Sequence, residues 1–163
     1  MSANGLEVFD KTLQTTNTWL KEIGEDLGGD RRLAWRALSA VLHRLRDRLP
    51  LGVAAHLGAE LPMLVRGVYY DQFQPARLPG DCRDLAEFLD EVQARLVDAD
   101  GLEAGDAVRA VFAVLSRHVP QGQIRIVKDA LPQTIRAAWT AVDQDVTPPP
   151  RQGEAGRYQA GAD

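Results

Sequence analysis

The chain has 163 residues, 45% of them hydrophobic and 26% charged, with one cysteine and a formal net charge of −4. A chain of this length buries about 70% of its unfolded surface, so it needs no disulfide or metal to fold. The single Cys82 excludes an internal disulfide and the multi-thiolate sites of zinc fingers and iron–sulfur clusters, and the negative charge argues against a global attraction to nucleic acid or anionic lipid.

No apolar run is long enough to cross a membrane. The first ten residues lack a basic stretch followed by an apolar one, so no signal peptide is expected, and the cytoplasm is the expected compartment. The charge is unevenly spread. Residues 1–70 carry 9 basic and 8 acidic groups, whereas residues 71–145 carry 8 basic and 13 acidic groups.

After a flexible N-terminus at 1–5, Phe9, Leu13 and Leu20 predict an opening helix over 6–23. Over 32–49, Ala34, Leu38, Val41, Leu42, Leu45 and Leu49 follow the three–four rhythm of one helix face, which turns Arg32, Arg36, His43 and Asp47 toward solvent. Pro50 stops this helix, and a short one is predicted over 51–60. Leu61-Pro62 then marks a corner, with the leucine turned inward and the proline at the first position of a helix ending near 70.

Residues 71–83 hold Pro75, Pro79 and Gly80 and read as an irregular linker. Helices follow over 84–96, through Leu85, Phe88, Val92 and Leu96, and over 103–118, through Ala107, Ala110, Val111, Val114 and Leu115. Ile124 to Val127 alternates like a strand, but its counterpart Ala54 to Leu57 is helix-like, so a helix is predicted over 121–130. Leu131-Pro132 opens a last helix to about 141. The remainder, 142–163, contains Pro148-Pro-Pro150 and is expected to be disordered.

The two halves repeat one another. Ala34, Arg36, Ala37, Ala40, Val41, Leu42 and Arg44 recur 73 residues later as Ala107, Arg109, Ala110, Ala113, Val114, Leu115 and Arg117. Three residues are then missing from the second copy. At an offset of 70, Pro50, Gly52, Leu61, Pro62 and Arg66 recur as Pro120, Gly122, Leu131, Pro132 and Arg136. The expected fold class is therefore all-α: two tandem pseudo-repeats of a three- to four-helix unit, over 6–70 and 84–141. They should pack about a pseudo-two-fold axis around one continuous core, since about 65 residues is marginal alone.

Thr16 to Lys21, Val41 to Pro50, Ala55 to Pro62 and Arg66 to Tyr70, taken in that order, resemble the bacterial family known as domain of unknown function 2267. The resemblance covers about 6–141. It implies an all-helical, two-repeat, soluble bacterial protein, assigns no reaction or catalytic residue, and implies glutamine more often than glutamate at the place of Glu60.

Three constellations bear on function. His43 with Asp47, and His56 with Glu60, are spaced four apart, so two facing helices would offer two imidazoles and two carboxylates to zinc, iron or manganese. Against that, His43 and Asp47 lie on the predicted solvent face, His56 is expected to be half-buried, and the second copy has Ser116, Ile126 and Ala130 where the first has His43, His56 and Glu60. No metal or other cofactor is expected. Residues 31–48 hold six arginines against Asp47, with Arg32, Arg36 and His43 as a basic stripe. The stripe suits an acidic partner. It lacks a phosphate loop and interleaved aromatics, so nucleic acid is not the expected partner. Tyr70, beside Phe73, is a candidate partner contact unless the linker folds over it. Arg66 and Arg136 recur in both copies, which points to a fold role against a nearby carboxylate or carbonyl, and Arg36 and Arg109 suggest the same. The expected activity is non-enzymatic binding of another protein, with a metal site and nucleic-acid binding as the alternatives.

Overall fold

A computed structural model describes residues 5–99 and 101–146. Among these the chain is all-helical, with no strand. Helix α1 spans Glu7–Asp26, α2 Arg31–Asp47, α3 Leu51–Ala59, α4 Met63–Tyr70, α5 Leu85–Ala94, α6 Ala104–His118, α7 Gln121–Asp129 and α8 Gln133–Val146.

Local chemistry sets most of the boundaries. Gly28 and Gly29 adopt φ values of 89° and 88° beyond α1, and the Gly29 amide returns to the Gly24 carbonyl at 2.6 Å, so the left-handed turn caps the helix. Asp30 then accepts the Arg32 amide at 2.8 Å and starts α2. Pro50 and Pro62 sit at the N-caps of α3 and α4, with ψ near 150°. Pro62 therefore lies one position before the first helical residue, not at that residue as the sequence pattern predicts, because its own backbone is still extended. Leu61 and Leu131 are both buried, as expected of the corners. Ile124 to Val127 is helical, with Ile124 and Val127 buried and Ile126 exposed.

The linker holds a single 3-10 turn at Pro75–Arg77 and is otherwise irregular. Helix α8 runs to Val146, beyond the expected end at 141, and carries Val142 into the core. The expected flexible N-terminus falls almost wholly outside the described residues, and the expected tail does so from 147 onward.

Helices α2 and α6 form the centre. They pack on each other and on α1, and α2 also meets α4 and α5 while α6 meets α5, α7 and α8. The buried side chains of both halves form one cluster, from Trp19 and Ile23 through Leu38, Leu42 and Tyr69 to Phe88, Phe112 and Trp139. Phe112 stacks on Trp139 with centroids 4.0 Å apart. Each fully buried large side chain contributes about 1.5–3 kcal/mol, so neither half's core stands apart from the other's. No described helix is long and apolar enough to cross a membrane.

Candidate functional site

The end of α2 carries the densest charge. Arg46 is 2% exposed, yet it is hydrogen-bonded on two of its nitrogens: Nη1 donates to the carbonyls of Tyr69 and Asp71, each at 2.7 Å, and Nε donates to the Asp47 carboxylate at 3.0 Å. It thereby satisfies the carbonyls that α4 leaves unpaired at its C-terminus. Arg48 is also buried and pairs with Glu91 on α5. Arg44 reaches Asp47 at 3.0 Å, but its Nε is buried and has no partner.

His43 is buried at 5% exposure, not on the solvent face that the helix rhythm predicts. That rhythm assumes one covered face, whereas α2 is enclosed by α1, α4, α5 and α6. Arg95, which caps α5, lies 2.9 Å from His43 Nδ1, and His43 Nε2 lies 2.6 Å from the Val68 carbonyl. Arginine has no acceptor, so Nδ1 must accept and Nε2 must carry the proton. The ring is neutral. Burial, and then the charges of Arg46 and Arg95, push its pKa below 6.5 against the Val68 hydrogen bond, which pulls upward. Burial and the neighbouring Arg44 likewise lower the pKa of Arg95.

These groups surround a cavity of about 340 Å³ between α2, the linker and the end of α5. Five arginines line it (Arg44, Arg46, Arg48, Arg77 and Arg95) against one carboxylate, Asp47. Gly80 forms part of the wall. Its amide donates to the Asp47 carbonyl at 2.7 Å, and a Cβ there would strike the Arg48 guanidinium. Further along α2, Arg31, Arg32, Trp35 and Arg36 line a shallow open depression, and Trp35, Arg36, Ser39, Ala40 and Arg95 line the next. Neither lining contains an acid. The side chains of Arg32 and Arg36 make no hydrogen bond or ion pair with a described residue, and Trp35 is 39% exposed between them.

The structure thus keeps Arg32 and Arg36 as a solvent-facing pair and removes His43 from the stripe. It does not bring the metal constellation together. Both His43 nitrogens are used, Asp47 is held by arginines, and His56 and Glu60 are exposed on α3 and at its cap. Among the described residues no three of His, Cys, Asp and Glu are grouped to hold a metal ion. Tyr70 packs edge-on against Tyr69 and Phe73 and donates to the Ala55 carbonyl at 3.3 Å, so the linker does fold over it.

Arg66 donates to the carbonyls of Gly58, Ala59 and Leu61, and Arg136 to those of Lys128 and Leu131, so both serve the fold. Arg36 and Arg109 do not follow them. Among the described residues the Arg36 side chain has no hydrogen-bond or ion-pair partner, and that of Arg109 has only an exposed contact with Asp106 at 3.6 Å. Sequence reasoning missed Trp35, Arg77 and Arg95. Arg46, Asp47 and Arg48 fall at the three-residue gap between the copies, which the sequence showed without pointing to their chemistry.

No curated protein matches the chain. A family model described as uncharacterized conserved protein (DUF2267) matches residues 16–138. That match spans well over half of the sequence and agrees with the four segments noted above, so the chain belongs to the DUF2267 family.

Proposed function

We propose that this protein is a non-enzymatic interaction module of the bacterial cytoplasm that binds an acidic segment of another protein along the outer face of α2. The observation that carries this reading is the group Arg31, Arg32, Trp35 and Arg36, exposed together with no acid in the lining. Arginine gives planar, multi-donor recognition of carboxylates, and an exposed tryptophan adds a rigid apolar contact. An overall charge of −4 opposes a long polyanion but not a short acidic segment matched to a local face.

The same reading holds the fold to be a tandem duplication about a pseudo-two-fold axis. The twelve identities between the halves support it. So do the parallel roles of Arg66 and Arg136, whose carbonyl partners at 58 and 61 correspond to 128 and 131.

Trp35 among arginines also favours a second reading, stacking of a single-stranded nucleic acid. Fluorescence anisotropy with a labelled oligoglutamate peptide and a labelled single-stranded oligonucleotide, across salt, separates the two. The protein-partner reading expects saturable peptide binding that Arg32→Glu and Arg36→Glu weaken by about tenfold. Oligonucleotide binding with a steep salt slope and no peptide binding would replace it with the second reading.

A further inference from the structure

The cavity at the end of α2 asks a separate question, because the fold does not need so much positive charge there. The corner between α6 and α7 makes the corresponding turn, from a long helix through a proline into a short one, without any counterpart of Arg46, Asp47 and Arg48. Within the first corner, Arg46 ties down the end of α4 and Arg48 pairs with Glu91. Asp47 is shared between Arg44 and Arg46. Among the described residues the Arg77 side chain makes no hydrogen bond or ion pair, Arg44 keeps an unpartnered buried Nε, and the Arg95 guanidinium bonds only to His43. Positive charge is therefore in surplus around a space of about 340 Å³, with Arg44 half-buried and Arg77 and Arg95 at its exposed rim. Like charges crowded in this way repel, and a bound anion removes that repulsion.

We propose that this cavity is a binding site for a phosphoryl group, either free phosphate or the phosphate of a small phosphomonoester. A single carboxylate would leave most of the surplus uncompensated. A phosphoryl group carries close to two negative charges at neutral pH and offers several acceptor oxygens to guanidiniums arriving from different directions. Arg44 comes from α2, Arg77 from the linker and Arg95 from the cap of α5, so the donors converge from three segments of the chain. The volume sits at the lower end of small-molecule sites and exceeds what one oxyanion fills, which leaves room for an ester substituent. His43 acts as a positioning residue: its neutral ring fixes Arg95 through Nδ1 while Val68 fixes the ring. This site needs no macromolecular partner and stands or falls apart from the outer face of α2.

The test is calorimetric titration of the full chain at constant ionic strength with inorganic phosphate, with phenyl phosphate and with succinate as a dicarboxylate control. The expected result is saturable binding of one phosphate or phenyl phosphate per chain and no comparable binding of succinate. Tighter binding of phenyl phosphate assigns the site to phosphomonoesters, and tighter binding of inorganic phosphate assigns it to the free ion. Arg77→Ala, an exposed change that removes no contact of the fold, and Arg44→Gln should each weaken the binding about tenfold. Arg32→Ala with Arg36→Ala should leave it unchanged. Absence of saturable binding of both phosphates to the folded wild-type chain would overturn the proposal. So would equal binding of succinate, or equal weakening by the Arg32 and Arg36 changes.

Discussion

The corner where α2 passes into α3 and the corner where α6 passes into α7 share a proline N-cap, a buried residue just before it and a nine-residue helix after it. They differ in what the long helix brings to its end. At the first, Arg46 and Arg48 are buried and reach α4, the start of the linker and α5, and Arg44 is half-buried beside them. At the second, Arg117 and His118 lie at the rim and share Glu22 of α1, at 2.9 and 2.7 Å. The same extended proline N-cap therefore serves two different helix ends, α2 closing in a helical conformation at Arg48 and α6 in an extended one at Val119. A rim ion pair steadies a helix end by little, whereas a buried arginine binds three segments together and leaves neighbouring charge in excess.

The largest expected effect separates these two corners. Arg46→Ala leaves the Tyr69 and Asp71 carbonyls without their donor and should cost about 3 kcal/mol in urea denaturation. Arg117→Ala, at a partly exposed pair, should cost under about 1 kcal/mol. Equal losses would mean that the corners do not differ as described.

A second comparison tests their likeness. Arg66→Ala and Arg136→Ala remove matching carbonyl contacts and should cost about 2 and about 1.5 kcal/mol, in that order, because Arg66 has one more acceptor. A large loss at one site and none at the other would speak against the duplication.

His43 supplies a smaller, pH-dependent effect. Its folded pKa lies below the ordinary 6.5, so below that pH the unfolded chain binds a proton that the folded chain resists. Its neutral burial costs no stability above about 6.5 and destabilises progressively as pH falls below that value. The stability difference between wild type and His43→Gln should therefore be flat above neutrality and move against the wild type on acidification. A difference independent of pH would contradict the assigned neutral tautomer. Smallest of all, Gly52→Ala and Gly122→Ala place a methyl in open space within α3 and α7, and each should raise stability by roughly 0.5–1 kcal/mol.

The helices were legible because proline, glycine and the three–four apolar rhythm act locally. Even the strand-like run at Ile124 yielded to its helical counterpart. Arg66 and Arg136 were legible through recurrence. The arginine cavity was not, for two physical reasons. A helical rhythm predicts one buried face, and α2 sits among four neighbours, so His43 was read as solvated and Arg46 was not picked out for the core. Arg77 and Arg95 come from the linker and α5, and nothing local ties them to α2. The missing triplet in the second copy was the one visible trace of the difference between the corners, and it was visible as a gap rather than as chemistry.

Arg36 and Arg109 occupy matching places on α2 and α6, and both are exposed. The most direct test of the central claim, that the outer face of α2 is the binding surface, is oligoglutamate affinity measured by anisotropy for Arg36→Glu beside Arg109→Glu. The two changes alter net charge equally. The account predicts about tenfold weaker binding for Arg36→Glu and a change within about twofold for Arg109→Glu. Equal weakening by both would show that only overall charge matters and would contradict it.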